Sequence, residues 1–229
     1  MEYLNLHSWE VNQREAIELQ AKLKERVSLR KTFSKIEKVA GADVSYCDHK
    51  AIAGVVVLSF PCLKIIERQF CILPVKFPYI PGLLTFREGP VLLGAFKKVR
   101  NEPDVVLFDG QGIAHPRRIG IATHLGLFLD RPTIGCAKSK LSGNYPILGE
   151  EKGSYSLLRE GEEILGAAVR TKKGVNPIFV SPGNKIDLFT SVGIVLKCTG
   201  KYKLPEPARE AHLFVNKIKR ELMSEAKWR

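Results

Sequence analysis

Three acidic residues sit where a carboxylate could do chemistry: Asp43 in "VAGADVSY", Glu88 in "FREGP" and Asp109 in "DVVLFDGQG". Asp43 lies inside a strand-like run, where alternation places it with Gly41 and Ser45 on the face opposite Ala40, Ala42 and Val44. Aspartate is disfavoured in mid-strand, so it either faces solvent or belongs to a site. Asp109 ends a short apolar run that delivers its carboxylate to a strand tip, and in open α/β sheets sites gather at the carboxyl ends of strands. A turn aspartate capping the next helix is the plainer account. Glu88 stands at the start of a helix, where an acid is also simply a favourable partner for the helix dipole. If the two strands are neighbours, the helix between them carries Glu88 towards both aspartates. Three converging carboxylates repel one another unless a cation neutralises them. All-oxygen ligands with retained waters suit Mg²⁺ or Mn²⁺ rather than zinc. Such a centre activates water and stabilises the charge of an attacked phosphate.

Other residues near these acids could bind. In "PYIP", Pro78 and Pro81 restrict the backbone on both sides of Tyr79 and Ile80, stiffening an aromatic tip. The run "DGQGIAHPRRIG" fits neither the dinucleotide nor the P-loop pattern, but its glycines would let bare backbone approach a base or a phosphate. His115, beside Arg117 and Arg118, is placed for phosphate contact or is a surface-loop histidine. His124 reads as a core histidine, and His212 as a late ligand or proton carrier. Lys76, Arg87, Arg117, Arg118, Lys138 and Lys140 flank these motifs as phosphate anchors.

The elements that must position these residues follow from patterning. Residues 12–27 form an amphipathic helix, with Asn12 and Glu15 at capping-box spacing and Ala16, Ile17, Gln20, Leu23 and Val27 along one stripe. Strand-like runs at 38–47, 51–60 and 63–73, joined by short turns, predict an antiparallel meander. A helix at 90–100, a strand at 104–109, a helix at 117–130 and a strand at 132–137 then alternate, which implies parallel pairing. Further strands are expected at 154–160, 162–170 and 177–183, and closing helices at 185–198 and 206–222. The expectation is one α/β domain over residues 1–229, with a mixed sheet (an antiparallel meander followed by parallel strands) flanked by helices.

Composition narrows the function classes. Thirty-six Lys and Arg against 24 Asp and Glu give a formal charge of +12, which favours polyanions such as nucleic acid. The longest apolar runs stop at about ten residues, short of the roughly twenty a membrane span needs. The amino terminus lacks the order of a secretory signal, so a cytoplasmic protein is expected. Five cysteines, odd in number and without a CxxC pair, argue against a disulfide framework or zinc ribbon and for reduced thiols.

"VAGADVSY", "FPYIPGLLTFREGP", "PDVVLFDGQGIAHPRRIGIATHLG", "PTIGCAKSKL", "PIFVSPG" and "PEPAREAH" together resemble the endonuclease V family, in the same order from about residue 38 to 213. The resemblance implies an RNase H-like fold and a Mg²⁺-dependent, monomeric endonuclease. It implies recognition of deoxyinosine in DNA and hydrolysis of the second phosphodiester bond on its 3′ side, leaving 3′-hydroxyl and 5′-phosphate ends. Inosine-containing RNA and branched DNA are alternative substrates, and a non-catalytic nucleic-acid-binding module is the rival class. Residue by residue, Asp43 and Asp109 match metal-binding aspartates and Glu88 a third catalytic acid. Tyr79 matches a wedge tyrosine, Lys138 a lysine of the "AKS" segment, and His212 a histidine near the metal. Gly82, Leu84, Gly110, Gly112 and Ile121 match a largely backbone lesion pocket. Thr85 and Asn184 depart from the family pattern, without touching the acids.

Overall fold

The computed structural model describes residues 1–226. Strands β1 (Lys38–Cys47), β2 (Lys50–Ser59) and β3 (Ile65–Pro74) form the antiparallel meander that their short turns predict. After α2 (Leu84–Phe96), β4 (Val105–Phe108) pairs in parallel with β1, and after α3 (Ile121–Leu129), β5 (Thr133–Ala137) pairs in parallel with β4. The later strands β6 (Tyr155–Glu160), β7 (Glu163–Val169) and β8 (Ile178–Asn184) are antiparallel to one another, and β8 joins β5 antiparallel. One mixed sheet results, in the order β3-β2-β1-β4-β5-β8-β7-β6.

Helices cover both faces. Ala40, Ala42, Val106 and Phe108 meet Leu92 and Phe96 of α2 and Leu125 and Phe128 of α3. Val39, Val105, Leu107 and Ile134 meet α4 (Leu188–Lys197) and Ala211 of α5 (Glu206–Ala226) on the other face. The alternation expected along β1 therefore holds: even residues face α2 and α3, odd ones face α5. Gly41 is the close approach that seats α5, since a Cβ there would lie 1.8 Å from the Pro207 carbonyl oxygen. No helix among the described residues is long and apolar enough to cross a membrane. All five cysteines are free.

Two helix starts differ most from the pattern reading. The helix expected from Pro90 starts six residues earlier, at Leu84, so Pro90 lies inside α2. An interior proline costs about 3 kcal/mol, whereas burying a large apolar side chain contributes about 1.5–3 kcal/mol. Phe86, Leu92, Leu93 and Phe96 are all buried on this helix, so packing outweighs the break. The next helix starts at Ile121 rather than at residue 117, because Arg118 has φ +59° and cannot continue a right-handed helix. Helix α1 (Gln13–Lys24) keeps its expected capping box, but of the stripe only Ala16, Gln20 and Leu23 are buried within it, while Ile17 is 36% exposed.

The amino-terminal segment is fastened by a histidine pair. Nε2 of His7 lies 2.7 Å from Nε2 of His124, within a cluster of Trp9, Phe86 and Phe128. Nδ1 of His7 is 2.8 Å from the Ser8 carbonyl and so carries the proton; His124 must then donate from Nε2, leaving its buried Nδ1 without a partner. Both rings are neutral in this arrangement, and burial holds each below the ordinary imidazole range. A histidine depressed in the folded state contributes stability that is complete above its unfolded pKa of about 6.5 and is lost as pH falls below it. Unfolding free energy from urea titration should therefore decline between pH 7 and 5, by up to about 1.4 kcal/mol per pH unit for a fully buried histidine. His124→Phe should flatten that slope.

Candidate active site

The acid pair is set by strand register. Ala42 of β1 pairs with Phe108 of β4 in a parallel ladder. Asp43 and Asp109 follow those residues and so stand abreast on the α5 face, with the Asp109 N–H donating to the Ala42 carbonyl at 3.3 Å. From α5, His212 points Nδ1 at Asp43 Oδ2, 2.8 Å away. Asn216, one turn further along, donates its amide to His212 Nε2 at 3.2 Å and to the His212 carbonyl at 2.9 Å, which leaves the ring proton on Nδ1. Ligand atoms of Asp43, Asp109 and His212 all lie within 4.8 Å of one another.

Charge in this cluster is only partly compensated. Burial pushes the Asp43 carboxyl up, and the neighbouring Asp109 charge adds to it, against the His212 hydrogen bond. Lys138 supplies the nearest cation, with Nζ 2.5 Å from Asp109 Oδ2. Glu88 reaches the same neighbourhood from α2, on the opposite face of the sheet. It is buried and accepts a hydrogen bond from the Tyr46 hydroxyl at 2.8 Å. Burial pushes its carboxyl up to about 8, with the Asp43 and Asp109 charges adding and the Tyr46 bond opposing. Glu88 thus shares the electrostatic field of the aspartates, while the close group of ligand atoms comprises Asp43, Asp109 and His212. Two carboxylates and an imidazole, with a third acid held protonated nearby, fit a divalent cation, which would lower the cost of ionising all three acids.

A cavity of about 360 Å³ adjoins the acids and shares Asp109 and Lys138 with them. Tyr79, Ile80, Pro81, Gly82, Leu84, Gly110, His115 and Ile121 line it, as do Thr85 and Lys140. Its size is that of a small-ligand pocket. Tyr79 stands at its rim, 69% exposed. Pro78, Arg117 and Gly112 are not among its lining residues. Gly112 instead packs its loop on β8, where its N–H donates to Ser181 Oγ at 2.8 Å. Asn184 lies elsewhere, buried and bonded to Gly126 and Ser28.

The aromatic tip is anchored from beneath. Gly82 has φ +80°, a conformation that favours glycine. Its carbonyl accepts from Gln20 Nε2 at 3.0 Å, His115 Nε2 at 3.0 Å and Arg117 Nη2 at 2.7 Å. Arg117 Nε also donates to Gln20 Oε1 at 2.5 Å, and its backbone N–H to His115 Nδ1 at 3.1 Å. Both nitrogens of His115 are thereby engaged within the protein, and burial, with the Arg117 charge, lowers its pKa to about 4. Of the other basic flanking residues, Lys76 pairs with Glu10, Arg118 with Glu160 and Glu163, and Arg87 donates to the Phe77 carbonyl. Lys138 and Lys140 remain at the cavity. Gln20→Leu leaves the buried Ile119 carbonyl and Arg117 Nε without their partner and removes one of three donors from the Gly82 carbonyl. It should lower stability by about 1–3 kcal/mol, read as a reduced thermal midpoint.

Sequence reasoning missed four residues that shape the site. Gln20 carried a signal, as the polar member of an otherwise apolar stripe. Asn216 carried another, four residues after His212 and hence on the same helix face. Tyr46 and Ser181 gave none, because their partners Glu88 and Gly112 are brought to them only by the fold.

A carboxylate at the tip of β4 beside another in the middle of β1, with an imidazole and a lysine around them, is what phosphodiester hydrolysis asks of a mixed α/β sheet, and this protein is a nuclease. The family model described as Endonuclease V matches residues 21–213. Endonuclease V of Methanothrix thermoacetophila is 50% identical over 213 residues, covering 93% of this chain and 95% of its own. The crystal structure of endonuclease V from Bacillus subtilis superposes with a TM-score of 0.94 at 32% identity, over 98% of this chain and 100% of that one. Endonuclease V of Ciona intestinalis, in complex with DNA containing an inosine followed by a ribo-adenosine, matches with a TM-score of 0.78 at 30% identity, over 93% of this chain and 100% of that one. The chain belongs to the endonuclease V family.

Proposed function

We propose that the chain repairs DNA by incising the strand that carries deoxyinosine, at the second phosphodiester bond 3′ of the lesion, leaving 3′-hydroxyl and 5′-phosphate ends. The observation that carries this reading is the cavity that shares Asp109 and Lys138 with the acid group. A base lodged in it keeps its own strand beside the carboxylates. Asp43 and Asp109 would hold Mg²⁺, with Mn²⁺ as a substitute, and Glu88 and His212 would complete the surroundings. The bound ion supplies an activated water and charge stabilisation at the phosphate.

The chain's own residues do the rest. Tyr79 stacks in the place the extruded base vacates. Extrusion costs a few kcal/mol, least for a poorly paired base such as hypoxanthine, and stacking returns about 1–3 kcal/mol. Gly82, Leu84, Gly110 and Ile121 close around the base, excluding guanine by its exocyclic amine. Gln20, His115 and Arg117 hold the Gly82 carbonyl and thus the wedge. Lys138 presents its ammonium to the strand. The protein acts as a cytoplasmic monomer, with one chain supplying every group named.

A second reading is inosine-containing RNA, favoured by the ribo-adenosine in the DNA bound to the Ciona relative. Matched inosine oligonucleotides in DNA and RNA backbones, incubated with and without Mg²⁺, test both. Faster cutting of DNA supports the first reading, and faster cutting of RNA replaces it with the second.

A further inference from the structure

An open groove of about 360 Å³ lies next to the active site and is lined by Lys138, Tyr202, Lys203, Leu204 and Arg209. It shares only Lys138 with the cavity beside Tyr79. Lys138 therefore borders both concave surfaces, and its partner Asp109 ties it to the acid group.

The groove has the two groups a nucleic-acid strand needs. Tyr202 is 47% exposed. The Arg209 guanidinium lies over its ring at 4.5 Å from the centroid, and is itself fixed by Glu206 at 2.7 Å and Glu210 at 2.5 Å. The ring is thus braced from one side by a group whose charge is already balanced. Lys203 has its backbone held by Thr171, whose Oγ1 donates to the Lys203 carbonyl at 2.6 Å. Among the described residues no carboxylate pairs with Lys203. Lys138 and Lys203 line the same groove, and of the two only Lys138 has a carboxylate partner, Asp109; burial and the Lys138 charge both lower the Lys203 pKa. An anion placed there relieves that repulsion.

We propose that this groove binds the strand on the 3′ side of the incision, with a base stacked on Tyr202 and a phosphate held between Lys203 and Lys138. The direction rests on the proposed function: with the lesion in the cavity and the cut beyond it on the 3′ side, the strand crosses the acids and leaves past Lys138 into the groove. Bases of any identity can stack on an aromatic ring, so the groove contributes affinity and product retention without reading sequence.

Fluorescence anisotropy in EDTA tests this with labelled inosine duplexes whose lesion strand ends at the proposed cut or extends well beyond it. Wild-type protein should bind the extended duplex about tenfold more tightly, consistent with one stacked base. Tyr202→Ala and Lys203→Gln should each remove most of that gain, and Tyr202→Phe should retain it. No dependence on the extension in wild type, or equal losses on both duplexes in the variants, would overturn the proposal. Failure of the lesion reading is separate, because it shows as equal affinity for inosine and adenine duplexes of the same length.

Discussion

Asp109→Asn is expected to abolish incision of a deoxyinosine duplex while leaving binding largely intact. The amide has the shape of the carboxylate and can still accept from Lys138, so the strand tip and its partner are kept. What it lacks is the charge that would hold a cation beside Asp43. Metal-derived stabilisation of the attacked phosphate is worth several kcal/mol, and about 1.4 kcal/mol is a factor of ten in rate. The single-turnover rate should thus fall by about a thousandfold or more. Binding moves in the other direction if at all, because a half-buried carboxylate repels the phosphates that pass it. Rates from gel assays and affinities from anisotropy separate the two effects. A variant that nicks at a near-normal rate removes Asp109 from the mechanism.

Tyr79→Ala should cut the other link, between finding the lesion and cleaving beside it. Tyr79 is 69% exposed, so its loss leaves the core and the acid group in place and the melting temperature unchanged. The stacking it would give to a gapped duplex is about 1–3 kcal/mol, which predicts a loss of cleavage at inosine of about fivefold to 150-fold. The ratio of inosine to adenine cleavage should fall with it. Tyr79→Phe, which keeps the ring, should behave nearly as wild type. Equal ratios in wild type and Tyr79→Ala would show that the tip packs or positions without sensing the base.

Much of the architecture was legible because period and turn chemistry are local. The meander at β1–β3 follows from short polar turns, and the β4–α3–β5 alternation from apolar runs of strand and helix length. The face of Asp43 was readable from the two-residue period alone. The start of α2 was hidden because Pro90 is a strong local breaker, and only the burial of Phe86 and its neighbours reveals that the helix runs through it. In the acid group, the adjacency of Asp43 and Asp109 needed only the assumption that β1 and β4 are neighbours. The hydrogen bond of Glu88 to Tyr46 depends on which face α2 covers, and no spacing encodes that. Arg117 and His115 read as groups for phosphate because charge in a loop looks free in sequence. In the fold they turn inward to one carbonyl, that of Gly82, because a left-handed glycine leaves that oxygen facing them.

If the cavity selects inosine and the acids act on the strand beside it, the cut falls at the second phosphodiester bond 3′ of the lesion. An end-labelled duplex carrying a single deoxyinosine, incubated with and without Mg²⁺ and resolved to single nucleotides, tests it most directly. One Mg²⁺-dependent cut is expected, at the second phosphodiester bond 3′ of the inosine, with no cut in the matched adenine duplex. Cleavage at unmodified positions, or cleavage that persists in EDTA, would contradict it.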